Sequence, residues 1–339
     1  MLNIYPKLAP MAGLTGYGGG PTGIVLGGAA SFVITTNSWG DRAVSGGAYI
    51  DNVGNKGMDW MDYWTISSCG SSTDFGNLVE GRANAGGGCS NTARICYAGG
   101  YNTSSPDRKN NIDYIAPATT GNASDFGDLT AGRSSCGNYA CDGRGIVGGG
   151  YVSGATNIID YFSIASTGNA SDFGDHSANF SVGGGGGNGE IWCYAGTSAV
   201  INHVVAATTG NATDSGDLTN SRAPESACAS DLNGSDRCVW TQAIASGNYD
   251  DTLDYITVST PGNATDFGNG TASYRGTGGT SNNVKGQIIG GNAGCANSSN
   301  CPNYNYIRQI TIDTTGNASN CSTLNNSGMG QGCSSGNAS

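Results

Sequence analysis

The sequence predicts an all-β fold, a single closed β-propeller. Three observations lead there: a composition suited to short strands and tight turns, a glycine-centred turn that recurs at blade-sized intervals, and strand-length apolar runs before each turn. Glycine supplies 59 of 339 residues, Asn, Ser and Thr crowd the rest, and Glu80, Glu190 and Glu225 are the only glutamates. A helical chain would instead need Leu, Glu, Lys and Ala at 3.6-residue spacing. Gly and Asn accept the positive φ of hairpin turns at little cost. Hydrophobic residues, at 37%, fall in short β-branched and aromatic clusters able to form a core, which low-complexity disorder lacks.

The repeated turn reads TGNASDFGDL at Thr120–Leu129 and returns at Thr167–Asp175, Thr209–Leu218 and, as PGNATDFGN, Pro261–Asn269, with looser copies around Gly70 and Gly316. Its glycines, Gly70, Gly121, Gly168, Gly210, Gly262 and Gly316, are 42 to 54 residues apart, the size of one propeller blade. An apolar run precedes each: Met61–Ile66, Ile112–Ala116, Ile159–Ile164, Ile201–Ala206, Leu253–Val258 and Ile307–Ile312, four of them carrying Asp-Tyr. Upstream lies a second run ending in glycines, at Ile95–Gly100, Gly145–Gly150, Ile191–Gly196 and Gln287–Gly291. Small residues at that strand end suit a crowded propeller centre, where a Cβ would clash.

The N-terminus enters partway through this pattern. Ile24–Gly28, Ser31–Ile34 and Trp39-Gly40-Asp41 stand where later units have their strands and Phe-Gly-Asp, and the next unit, around Gly46–Asp51, is degenerate. That gives about seven four-stranded blades, six being the alternative count. The tail Gln331–Ser339 resembles the stretch before a glycine-pair strand, such as Gly88–Thr92. It is expected to pair beside Ile24–Gly28, so that both chain ends complete one blade and leave no open sheet edge. Residues 1–22 then form an extension or docking segment and 23–339 the propeller.

The net charge is −11, spread along the chain without the basic stripe that phosphate backbones require, so nucleic acid is not an expected partner. No run approaches the roughly 18 apolar residues of a membrane span, and Met1–Gly20 lacks the basic and apolar blocks of a secretory signal, which points to assembly in a cytoplasm without membrane insertion.

A glycine pair closing one strand, a polar loop, a Tyr-bearing strand and an aromatic before the next blade resemble the kelch repeat over roughly Gly23–Ser339. Phe75, Phe126, Phe173 and Phe267 stand where many kelch repeats have Trp, Trp39 appears only in the first unit, and Ser215 breaks the series. The resemblance implies the propeller fold; propellers host unrelated functions, so it says little about activity. The near-identical Asn/Asp/Gly-rich repeats also resemble propeller proteins of tailed bacteriophages. That likeness implies a non-enzymatic structural or binding protein of the virion, a capsid decoration, tail or fibre component that docks on other particle proteins and contacts host surface glycans. The alternatives are a cellular kelch-like adaptor, cytoplasmic or extracellular, and a glycan-active propeller enzyme.

Candidate chemistry is outweighed throughout by repeat chemistry. The kelch family includes a copper oxidase, but His203 replaces the repeat Tyr and His176 follows the turn Asp172–Asp175, each a substitution within the repeat. Asp125 and Asp128, with copies at Asp172 and Asp214, could place oxygens around Ca²⁺. Asp and Asn bond their own turn backbone without a metal, and the copies at Asp74 and Asp266 end in Asn77 and Asn269. The Asp-x-Gly turn is similar to the sialidase aspartate box without its Trp, and three scattered glutamates offer no acid/base pair. Arg82, Arg133 and Arg222, and Arg94, Arg144 and Arg237, recur in register, which favours structural roles over catalysis. No catalytic residue, cofactor or metal ligand is therefore expected. Twelve cysteines allow within-blade closures such as Cys136 with Cys141, Cys228 with Cys238 or Cys295 with Cys301, without deciding among them. Cys96 and Cys193 share a strand position suited to a small hydrophobe. The triplets at Asn122, Asn169, Asn211, Asn263 and Asn317 reflect turn chemistry. The loops Tyr101–Asn111, Ala223–Arg237 and Ala293–Asn305 differ between repeats, and variable loops on one rim are how a repeat scaffold acquires a partner.

Overall fold

The computed structural model describes residues 40–50, 56–84, 88–91, 93–103, 107–141, 143–230, 234–241, 243–245, 248–293, 303–328 and 332–336. Among them there is no helix, and six four-stranded antiparallel sheets form the blades of a β-propeller. Blade 1 contains β1 (Arg42–Ile50), β2 (Lys56–Thr65) and β3 (Thr73–Asn77). Blade 2 is β4 (Gly88–Ser90), β5 (Ile95–Ala98), β6 (Asn111–Ile115) and β7 (Ser124–Asp128). Blade 3 is β8 (Gly137–Cys141), β9 (Arg144–Gly148), β10 (Thr156–Ser163) and β11 (Ser171–Phe180), and blade 4 is β12 (Gly183–Gly187), β13 (Ile191–Gly196), β14 (Val200–Val205) and β15 (Thr213–Asp217). After β16 (Ala223–Pro224), blade 5 takes β17 (Ala227–Ala229) and β18 (Arg237–Trp240). A hairpin of β19 (Ala243–Ala245) and β20 (Asn248–Asp250) pairs with β16, and β21 (Thr252–Thr257) and β22 (Thr265–Asn269) complete the blade. Blade 6 is β23 (Tyr274–Ser281), β24 (Lys285–Ala293), β25 (Tyr306–Thr311) and β26 (Ser319–Thr323), and the last strand is β27 (Gly332–Gly336).

β27 supplies the innermost strand of blade 1. It pairs antiparallel with β1, Arg42 opposite Gly336, Val44 opposite Ser334 and Gly46 opposite Gly332. The innermost strands neighbour one another in the order β27, β4, β8, β12, β17, β23 and back to β27, so the ring is closed. Among the described residues the tail's partner is Arg42–Gly46; its expected partner, Ile24–Gly28, lies outside them. The blade count is six rather than seven, one blade for each turn glycine. Of the additional unit, Ile24–Trp39 lies outside the described residues, as does the expected extension 1–22, while Arg42–Ile50 is the second strand of blade 1.

The core lies between blades. Cys96, Ala98, Ile112, Phe126 and Leu129 of the blade 2 side pack with Cys136, Val147, Phe162 and Ile164 of the blade 3 side. At the closing seam Ala43, Trp64 and Ile66 meet Ile289, Ile307, Leu324 and Cys333. A core assembled from facing sheets makes each blade depend on its neighbours for burial of its apolar face.

The repeated turn is the hook that joins them. Gly121 N donates to Phe75 O at 2.7 Å, Ala123 N to Asn77 O at 2.8 Å, and the Asn122 side-chain oxygen accepts from Asn77 N at 3.0 Å. Asn169, Asn211, Asn263 and Asn317 each accept in the same way from the preceding blade. The turn needs a close approach: Gly127 has φ +148°, and a Cβ there would lie 2.4 Å from Gly168 O. Glycine pairs serve the same crowding between blades, not only at the axis. Gly99, at φ +69°, faces the Arg133 carbonyl, 2.5 Å from where its Cβ would be.

Candidate binding face and axial cavity

The recurrent arginines hold adjacent blades together. Arg82, Arg133 and Arg222, in the connectors between blades, pair with Asp113, Asp160 and Asp254 of the following blade at 2.5, 3.0 and 3.1 Å, and all six side chains are fully buried. Each aspartate also accepts a backbone N–H of the same connector, from Val79, Thr130 and Thr219. At two seams both partners are changed together. Phe180 replaces the arginine before blade 4, and Asn202 replaces the aspartate and accepts from Ser177 N at 2.8 Å. Tyr274 replaces the arginine before blade 6, and Arg308 replaces the aspartate, its guanidinium 4.1 Å from the Tyr274 ring centroid. At the closing seam no arginine stands in this place, and Asn326 donates to Asp62 from its backbone and side chain. Each of these buried charges thus keeps an ion-pair, hydrogen-bond or cation–π partner across or beside its seam.

The second arginine series works at the opposite ends of the blades. Arg42, Arg94, Arg144 and Arg237 lie over Tyr63, Tyr114, Tyr161 and Tyr255 at 4.4 to 4.9 Å. They donate to carbonyls of the next blade at Pro117, Ile164, Ala206 and Ile312. The same tyrosines meet Phe75, Phe126, Phe173 and Phe267 edge-on.

Blade 4 and the last strand of blade 3 depart from the repeat pattern, and each carries one of the two histidines. His203 and Ser215 stand in place of the Tyr–Phe pair, their Nδ1 and Oγ 2.6 Å apart. The N–H groups beside Ser215, those of Gly216 and Asp217, already donate to Asp214 Oδ1 and Asn263 Oδ1, so no donor pair is aimed at a developing oxyanion. His176 takes the position of Leu78, Leu129 and Leu218. It is buried against Phe180, Trp192 and Tyr194 with ring centroids 5.3, 5.6 and 4.5 Å away, and burial pushes its pKa down to about 3. In the Asp-x-Gly turns Asp214 and Asp266 bond the backbone N–H two residues on. Among the described residues no three His, Cys, Asp or Glu side chains converge on a point that could hold a metal ion.

The innermost strands enclose an axial cavity walled by Gly137, Gly184–Gly186, Gly278 and Gly279 and edged by Ser90, Thr280, Ser281 and Ser334. Its free volume of about 70 Å³ is small against the roughly 300 Å³ or more of a small-molecule pocket. Glu225 reaches into it, accepting from Gly276 N, and burial raises its pKa to about 7 against the opposing pull of Arg275. Beside it the hydroxyls of Ser226, Thr241 and Thr277 form a closed triangle with edges of 2.6, 3.3 and 3.4 Å.

Two clusters of tyrosine and arginine outside the repeat pattern lie on the face carrying the loops between second and third strands. Tyr101 exchanges backbone hydrogen bonds with Ala83, and Tyr151 with Ser134, which sets these loops beside the connectors between blades. Arg108 is sandwiched between Tyr101 and Tyr151, 4.7 and 5.0 Å from their centroids. Tyr151 and Val152 are 38% and 36% exposed. Across the ring, Tyr249 on β20 meets Arg275, and Tyr304 stacks on Tyr306 and meets Tyr274 edge-on. Of the loops expected from sequence, Tyr101–Asn111 lies on this face in its described parts, 101–103 and 107–111. Ala223–Arg237 instead holds β16, the inner strand β17 and the turn after it, and Ala293–Asn305 is described only at its ends. The loop around Tyr151 and the β19–β20 hairpin were not legible as binding elements, because short Gly/Ser-rich stretches look alike in sequence. The opposite face carries the repeated turns.

No protein-family model matches the chain, and no curated protein does.

Proposed function

We propose that this propeller is a non-enzymatic binding scaffold of a virus particle, seated on other particle proteins and presenting its loop face to the host surface, with glycans as the ligands. The reading is carried by the two tyrosine–arginine clusters, at blades 2–3 and 5–6, on the face where the repeats diverge. Flat aromatic faces and guanidinium planes are the groups that stack on sugar rings and hold anionic substituents, and Tyr and Arg dominate the energetics of binding surfaces. The recurring charges, by contrast, are consumed in blade packing, which favours a scaffold. The test is binding of the purified chain to host cells and to a glycan array. Arg108→Ala and Tyr151→Ala should weaken binding at least tenfold, and Ser124→Ala, in the exposed repeated turn, should leave it unchanged. Equal binding by all three variants would refute the loop-face assignment. Capture of host proteins with no glycan retained would favour the adaptor reading.

A further inference from the structure

The seam between blades 6 and 1 differs from the other five. It is bridged by residues far apart in the chain, as in the Ser71–Ser322 hydroxyl contact 251 positions apart, and the repeat is broken on both sides of it. The residue before the turn glycine is Thr120, Thr167, Thr209, Pro261 or Thr315 elsewhere, but Cys69 here. The outer-strand aromatic is Phe75, Phe126, Phe173 or Phe267, with Ser215 in blade 4, but Cys321 in blade 6. These two departures meet: Cys69 and Cys321 form a disulfide with Cα atoms 5.7 Å apart, spanning 252 residues. Around it Gln287 Nε2 donates to Ile66 O, the last residue before the blade 1 turn, and to Gln309 Oε1 of blade 6, while Trp64 Nε1 donates to Gln287 Oε1. The other described cysteines, Cys89, Cys96, Cys136, Cys141, Cys193, Cys228, Cys238 and Cys333, are buried thiols, and burial pushes Cys96 and Cys228 up to about 12. Cys69 and Cys321 are only half-buried, within reach of a reagent.

We propose that the Cys69–Cys321 pair is a covalent latch on the ring seam, set by oxidation once the chain leaves a reducing compartment. In closing, one thiolate displaces a thiol from a low-molecular-weight disulfide such as oxidised glutathione, and the second cysteine resolves the mixed disulfide. Two protons and two electrons leave the cysteines, and the oxidant departs as two thiols. A bond closing a loop of this length restricts the unfolded chain more than a within-blade disulfide would. The latch does not depend on what the loop face binds, so either idea can fail alone.

The test uses the full chain purified with thiols reduced, then treated with oxidised glutathione, with peptide mapping after alkylation and a thermal unfolding midpoint for each form. The latch predicts a linked Cys69–Cys321 peptide and a midpoint raised by about 5–10 °C on oxidation. Cys69→Thr, which restores the repeat residue, should abolish the redox-dependent shift while leaving the reduced midpoint near that of the wild type. Cysteines that stay alkylatable after oxidation, or a midpoint indifferent to redox state, would overturn it.

Discussion

The buried Arg133–Asp160 pair can be exchanged for the solution the chain itself adopts one seam further on. Both side chains are fully buried, Nη2 to Oδ2 is 3.0 Å, and Asp160 also accepts from Thr130 N and Oγ1 at 3.1 and 2.7 Å. Arg133→Phe leaves the carboxylate buried without its cation, a loss of about 3–5 kcal/mol, and Asp160→Asn strands the guanidinium at similar cost. The double variant recreates the Phe180/Asn202 seam. Its asparagine keeps an acceptor for Thr130 N, and what remains is loss of the Arg133 bond to Val147 O, about 1–2 kcal/mol. The expected coupling is therefore about 3 kcal/mol or more in favour of the pair. Urea unfolding of the four proteins, with thermal midpoints moving roughly 2 °C per kcal/mol, measures it. Additive single effects would show that the matched changes across seams are not compensation, and the inter-blade argument would fall.

Three further outcomes follow. His176 holds fewer protons folded, at a pKa of about 3, than unfolded at about 6.5, so stability should fall as pH drops from 6.5 towards 3. His176→Leu, the residue of the equivalent positions, should remove about 2–3 kcal/mol of that loss by pH 4.5, read from unfolding free energy against pH; parallel curves would refute it. Glu225, raised to about 7, binds more protons folded than unfolded between 4.5 and 7, so its contribution declines as pH rises through that window. Glu225→Gln should accordingly raise the thermal midpoint at pH 8 more than at pH 5, and the reverse order would place the carboxylate outside the low-dielectric axis. Deleting Gln331–Ser339 removes β27 and opens the edge of β1. A lower midpoint and more aggregation are expected, and an unchanged midpoint would contradict closure by that strand.

The propeller architecture was legible wherever glycine and aromatic positions repeat, and the six turn glycines match the six blades, whereas the degenerate unit at the N-terminal end of the repeats added a seventh to the expected count. β1 was not legible. Its sequence RAVSGGAYI is interrupted by a bulge between Gly46 and Ala48, and Gly47 sits at φ +70°, so neither alternation nor a repeat letter marks it as the partner of the tail. The arginine–aspartate pairs were visible as two recurring letters but not as partners, because they join different blades. The matched changes at Phe180/Asn202 and Tyr274/Arg308 were the available signal. Cysteine pairing was unreadable for the same reason. Cys136 and Cys141, near each other in sequence, are separate buried thiols, while Cys69 and Cys321 meet only when the ring closes. Tyr101 was found because its loop is long, and Tyr151 was missed because its loop is short.

Cryo-electron microscopy of the native assembly containing this chain is the most direct test. Six-bladed rings are expected at fixed positions on a particle, held through neighbouring proteins, with Tyr101, Arg108 and Tyr151 facing outward. A ring whose loop face is buried against the particle, or a free monomer with a ligand enlarging the axial cavity beside Glu225, would contradict this.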